Sequence, residues 1–262
     1  MKTRLDAELV RRGLARSREQ AADLIESRQV LVGGIPASKP ATQVDAETSI
    51  ALQGERNDFV SRGGHKLAGA LDSFPEISVV GKRALDAGAS TGGFTDVLLK
   101  RDVGHVVAVD VGYGQLAWEI RNDPRVTVLD RTNVRHLTLE QIGEPVELIV
   151  ADLSFISLTL VLPALVSVSK TTADFLVMVK PQFEVGREKL GAGGVVRDPA
   201  LRKAAVKEVA DSAYDMGLGC YGVVASTLPG PSGNVEYFLW LKRGTHELSE
   251  DELDKAIALG PQ

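Results

Sequence analysis

The sequence predicts an α/β protein: a mostly parallel, doubly wound sheet with an antiparallel late strand, preceded by a small basic module. Three observations carry this prediction. From Phe59 onward, apolar strand-like runs alternate with segments long enough for crossover helices. A glycine-rich turn, Asp86-Ala-Gly-Ala-Ser-Thr-Gly-Gly93, falls between one such run and a helical segment. The first 52 residues instead read as two short helices and a tight hairpin studded with arginine.

In that first stretch Leu5, Leu9 and Val10 open a short helix that stops at Gly13, a left-handed C-terminal cap. Ser17 and Gln20 form the S-x-x-Q signature that opens a second helix, with Ala21, Leu24 and Ile25 as its apolar face. Val30-Leu-Val32, Gly33-Gly34 and Ile35 read as a hairpin, and Ser49-Ile-Ala-Leu52 as its closing strand. Arg4, Arg11, Arg12, Arg16, Arg18 and Lys39 surround this unit. Residues 53–60 are assigned as a linker.

Five buried strands come next: Ala84-Leu-Asp86, Val106 to Asp110, Val126 to Leu129, Leu148 to Asp152 and Phe175 to Lys180. A helix around Leu201 to Met216 leads to two more, Gly222 to Thr227 and Val235 to Leu241. The loop between them, Pro229 to Asn234, is short enough for an antiparallel pair. The larger domain spans 61–244, and 245–262 reads as an acidic tail.

The chain has 262 residues and a net charge of −5, which excludes a uniformly basic nucleic-acid binder. The charge is uneven, however. Residues 1–18 carry six basic against two acidic side chains, and the stretch from Thr245 carries five acidic against one basic. A single cysteine, Cys220, allows no internal disulfide and fits a reducing, cytoplasmic setting. The longest apolar stretch, Phe155 to Val168, is shorter than the ~20 residues of a spanning helix. No donor cluster calls for a metal.

Glycines at 88, 92 and 93 permit a tight turn and close approach of a ligand to the backbone. A dinucleotide site wants a middle glycine where this chain has Ser90, and Asp86 would repel a pyrophosphate. The same acid suits the amino group of S-adenosylmethionine, with the dinucleotide left as the alternative. Asp110, ending the next strand, is placed for ribose hydroxyls. Phe94 and Asn133 complete the expected cofactor set with Asp152. Asp152 and Lys180 end neighbouring strands, where ligands bind in open α/β sheets. A positioned base or cation there would manage the proton of a hydroxyl under methylation.

These residues resemble two known families. Arg4-Leu-Asp6, Gly13-Leu-Ala-Arg-Ser-Arg18, the Val30 to Gly34 hairpin and Lys39-Pro40 resemble the α-L RNA-binding domain of ribosomal protein S4. The resemblance implies contacts to RNA backbone and shape. Lys66, Asp152, Lys180 and Glu236 resemble the catalytic K-D-K-E tetrad of the RrmJ/FtsJ-type ribose methyltransferases, whose Rossmann-like sheet binds adenosylmethionine. Together with Ser61-Arg-Gly-Gly-His-Lys66 and Gly230 to Tyr237, the whole chain resembles the TlyA family. That implies methylation of a cytidine 2′-hydroxyl in ribosomal RNA, and in some members sensitivity to capreomycin-type antibiotics. Arg62 and His65 would extend the RNA track. The R-x-W-V linker of that family is here Asn57-Asp-Phe-Val60, without the arginine.

Four rivals differ in chemistry. A cytosine-carbon methyltransferase needs a cysteine nucleophile, and Cys220 lies before the sixth strand. A base-amine enzyme would use Asp152 and Phe155 but lacks the prolines of its usual motif. A non-catalytic RNA-binding factor, or a haemolysin-like membrane-active protein, would not need the tetrad.

Overall fold

The computed structural model describes residues 2–15, 17–45, 48–52, 59–230 and 232–260. Arg16 and most of the predicted linker, including Asn57 and Asp58, lie outside the described residues. Two compact units divide at Asp58 and Phe59.

The first unit holds helices Leu5–Arg11 and Arg18–Glu26 and short strands that include Val30–Val32, Ile35–Pro36 and Ile50–Leu52. Gly13 has φ +70°, and Ser17 accepts from the Gln20 amide at 3.1 Å, so both helix signals operate as the sequence indicates. Val30–Val32 pairs antiparallel with both of its neighbours. Leu5, Leu9, Ala21, Leu24, Ile25 and Val30 form the core of this unit.

In the second unit seven strands are numbered in chain order: β1 Arg83–Ala87, β2 His105–Val109, β3 Val126–Leu129, β4 Val146–Ala151, β5 Ser169–Val179, β6 Leu218–Ala225 and β7 Tyr237–Arg243. They form one sheet in the order β6-β7-β5-β4-β1-β2-β3. The five central and right-hand strands are parallel, while β7 runs antiparallel to both β5 and β6. The order reverses between β1 and β4, and a ligand crevice opens at such a switch point.

The helices of this unit include α1 Arg62–Ser73, α2 Gly93–Lys100, α3 Pro181–Glu184, α4 Pro199–Asp215 and α5 Glu250–Leu259. Two apolar clusters cover the two sheet faces. Val206, Val209 and Leu253 lie in one, and Leu67, Leu71 and Leu98 in the other.

Three sequence boundaries need correction. Phe59 and Val60 belong to the second unit rather than to a linker: the Val60 amide donates to Asp96 of α2 at 2.8 Å, and Val60 is buried. The acidic C-terminal stretch is no free tail either. Helix α5 turns Leu253, Ala256 and Ile257 into the core and leaves its acids outward, an amphipathic pattern that the charge count had masked. Cys220 lies within β6, where flanking glycines had hidden the strand pattern.

Candidate active site

The glycine turn begins directly after β1. Gly88 and Gly92 have φ of +87° and +96°, a region that favours glycine, and Ser90 joins them at +48°. A Cβ on Gly88 would run into the backbone of Asp152, so the turn and the end of β4 lie in direct contact. Asp110, just past β2, accepts from the Ser90 amide at 2.8 Å and the Gly112 amide at 2.7 Å. It therefore fixes the turn, and each oxygen keeps a lone pair for a ribose hydroxyl.

Asp86 is fully buried inside β1. The Thr95 hydroxyl donates to its Oδ2 at 2.6 Å, and among the described residues its Oδ1 has no hydrogen-bond partner. Burial, with Asp152 and Asp110 adding negative charge nearby, pushes this carboxyl up to about 7 against the pull of Thr95. A buried carboxylate oxygen without a donor is an unsatisfied acceptor at the ligand end of the sheet. It is the chemistry an ammonium group would complete.

The other predicted cofactor residues divide. Gly93 serves packing, since a Cβ there would strike the start of α1 at Ser61 and Gly64. The Phe94 side chain is buried, with its ring centroid 6.0 Å from that of Phe238. Asn133 is exposed, but its side-chain oxygen accepts from the Arg135 amide and caps a 3₁₀ turn.

The tetrad forms two ion pairs, one buried and one with a half-buried acid. Lys66 on α1 donates to Glu236, just before β7, at 2.5 Å. Lys180, after β5, stands 2.5 Å from Asp152 Oδ1, at an angle outside hydrogen-bond geometry, and donates instead to Ser154 Oγ at 3.0 Å. Lys66 and Lys180 are each at least nine-tenths buried, and Glu236 is 1 % exposed. Beside Lys180, Phe155 is 91 % exposed with φ +64°, and its ring lies 5.1 Å from that of Phe183. A bulky residue avoids that backbone region unless its surroundings impose it. Sequence reasoning gave no role to Thr95 or Ser154; both lie inside the quoted motifs, and a hydroxyl one turn or two residues from an acid was the available signal.

In the first unit the predicted arginines are organised by two buried acids. Asp6 accepts from Arg4 and Arg18, each at 2.9 Å. Glu8 takes Arg11 at 2.6 Å and Arg12 at 2.7 Å, and Arg12 also donates to the Thr48 and Asp45 carbonyls. Arg4 beside Asp6 holds its carboxyl well below the usual range, and Arg11 and Arg12 bring Glu8 down to about 2. Arg4, Arg11, Arg18 and Lys39 are exposed, as is Arg62 in the second unit; His65 is half-buried with its ring edge-on to Phe59.

Cys220 is buried, and burial raises its thiol to about 11, which leaves no thiolate for a carbon methyltransferase. A groove of about 640 Å³ along β6 and α5, between Phe74, Tyr221 and Leu259, contains none of the predicted residues. Among the described residues no helix is long and apolar enough to cross a membrane.

A parallel sheet with an antiparallel β7, an acid-led glycine turn and two carboxylate–lysine pairs at the strand ends define a methyltransferase with an appended α-L module. Residues 59–243 match the FtsJ-like methyltransferase family and residues 3–50 the S4 domain, so the chain belongs to the FtsJ-like methyltransferases. It is 59% identical to the 16S/23S rRNA (cytidine-2′-O)-methyltransferase TlyA of Mycobacterium tuberculosis over 99% of both chains. It is 41% identical to the putative rRNA methyltransferase YqxC of Bacillus subtilis, over 98% of this chain and 93% of that one. Among solved structures, a putative hemolysin from Streptococcus thermophilus superposes with a TM-score of 0.79 at 35% identity, covering 98% of this chain and 94% of that one.

Proposed function

We propose that this cytoplasmic enzyme transfers a methyl group from S-adenosylmethionine to a ribose 2′-hydroxyl of ribosomal RNA, at a cytidine. The observation that carries the reading is the Lys180–Asp152 pair at the mouth of the sheet, braced by Ser154. Adenosylmethionine, when bound, supplies an electrophilic methyl on a sulfonium. Asp86 Oδ1 would take its amino group and Asp110 its ribose, across the turn that Gly88 and Gly92 make.

A ribose hydroxyl is a weak acid, so its oxygen attacks only as its proton is managed. Lys180 is the group for that task. It either stabilises the developing alkoxide as an ammonium or accepts the proton as an amine, and Asp152 fixes its position. Lys66 and Glu236 hold the adjoining wall. Phe155 offers an exposed ring on which a base, turned out of its helix, stacks beside Lys180. The arginines of the first unit supply phosphate contacts, held in fixed directions by Asp6 and Glu8.

The test is methyl transfer from labelled adenosylmethionine to isolated ribosomal subunits, followed by mapping of the modified nucleotide. Label on a cytidine ribose is expected. Label on a base would overturn the assignment of the hydroxyl.

A further inference from the structure

Three contacts join the segment after β4 to the segment after β5. Lys180 donates to Ser154 Oγ at 3.0 Å, the rings of Phe183 and Phe155 lie 5.1 Å apart, and Glu184 closes the series. The Glu184 carboxylate accepts from Ser157 Oγ at 2.5 Å and from the Leu158 amide at 2.9 Å. Partners ascend together along both segments, so the two run side by side like a short zipper. Lys180 has an assigned role, whereas Glu184 has none.

The segment needs such a tie. From Asp152 to Ile156 it has neither helix nor strand, and it holds Phe155 in a left-handed conformation. Its far end is the 3₁₀ turn Leu158–Leu160, capped by Ser157, whose hydroxyl accepts from the Thr159 amide. Glu184 grips that cap from the end of α3, the short helix that begins directly after Lys180. A carboxylate taking an O–H and an N–H at once is a shorter, stiffer tie than a neutral pair.

We propose that Glu184 is a positioning residue for methyl transfer: it fixes the Asp152–Ser157 segment against α3 and so sets where Asp152 and Phe155 stand relative to Lys180. The proposal rests on the reading of Lys180, Asp152 and Phe155 as the site of methyl transfer. Glu184 touches no reacting atom. It acts through Ser157 and Leu158.

The full-length protein with Glu184→Ala, Glu184→Gln or Ser157→Ala tests this. Since displacements near 1 Å at a reacting centre cost up to about a hundredfold, Glu184→Ala should lower kcat by about tenfold or more and raise the KM for ribosomal subunits. Affinity for adenosylmethionine, measured by calorimetry without RNA, should stay within about twofold, because the Asp152 backbone beside the glycine turn keeps its own amide bond to the Ala87 carbonyl at 3.0 Å. Amides of residues 153–158 should exchange about tenfold faster, reporting the lost tie directly. Glutamine keeps an acceptor and gains a donor, so Glu184→Gln should restore most of kcat; Ser157→Ala should act like a milder Glu184→Ala and serves if that variant does not fold.

Unchanged exchange at 153–158 in Glu184→Ala overturns the tie. Faster exchange with an unchanged kcat, well below the melting temperature, makes Glu184 a merely structural residue and overturns its positioning role. Should the wild-type enzyme methylate some acceptor other than a ribose hydroxyl, that failure belongs to the substrate assignment, and the same variants then read Glu184 on the true acceptor.

Discussion

Lys66 and Glu236 are 170 residues apart in the chain and meet as an ion pair at 2.5 Å, with side chains 9 % and 1 % exposed. One sits on α1 and the other at the entrance to β7, so the antiparallel closure of the sheet is what joins them. The pair therefore welds the first helix of the catalytic unit to its last strand. In so dry a place each charge depends on the other.

Lys66→Ala or Glu236→Ala should each destabilise the protein by about 3–5 kcal/mol, because either leaves a buried charge uncompensated. The double variant Lys66→Met/Glu236→Leu should recover much of that loss in urea unfolding. Single variants of wild-type stability would rule out the pair as described.

Lys180→Ala should lower kcat by about 10²–10⁴, the usual contribution of a positioned proton-transfer group. Lys180→Met, close in volume, should be as inactive as alanine while retaining the fold by circular dichroism. Single-turnover assays at saturating cofactor separate this loss from one in binding. An active methionine variant would move the chemistry elsewhere.

Asp86 gives a pH dependence with a defined sign. Its folded-state pKa, about 7, lies above the value of ~3.9 expected when unfolded. The unliganded protein thus holds this proton more tightly when folded, and that stabilisation is present at low pH and lost as pH rises from about 4 to 7. A shift of this size amounts to about 4 kcal/mol, so Asp86→Asn should raise the melting temperature of the unliganded protein at pH 8. Adenosylmethionine affinity should instead rise through pH 7, as the carboxylate forms, with proton release detectable by calorimetry in buffers of different ionisation enthalpy. A flat affinity profile between pH 6 and 8 would remove Asp86 from the amino-group site.

The arginines of the first unit should separate by role. Arg12 is half-buried and bonded to two backbone carbonyls besides Glu8, so Arg12→Ala should lower the stability of that unit. Arg11 is 61 % exposed, so Arg11→Ala should weaken RNA binding with little change in melting. For phosphate contacts, each lost arginine should reduce the slope of log K against log salt by about 0.7–0.9. An unchanged slope for Arg11→Ala would take that residue off the RNA.

Much of the fold was legible because parallel strands buried on both faces are continuous apolar runs. Val126–Leu129 is matched residue for residue, and the other central strands shift only at their ends. Strand β5 reaches back to Ser169 through Lys170-Thr-Thr172, polar residues at its exposed start that carry no core pattern. The packing of Phe94 against Phe238 was not legible, because it joins segments far apart in the chain.

By itself, then, the sequence determined the two-unit plan, the order of strands and helices, and the acids and lysines at strand ends, since those arise from local periodicity and turn chemistry. The tertiary structure alone decided the pairing of Lys66 with Glu236, of Lys180 with Asp152 and Ser154, and of Glu184 with Ser157. It also left Asp86 Oδ1 without a donor and built the acidic C-terminus into the core. Such contacts join residues far apart in the chain, and burial, which sets their electrostatics, exists only once the sheet has closed.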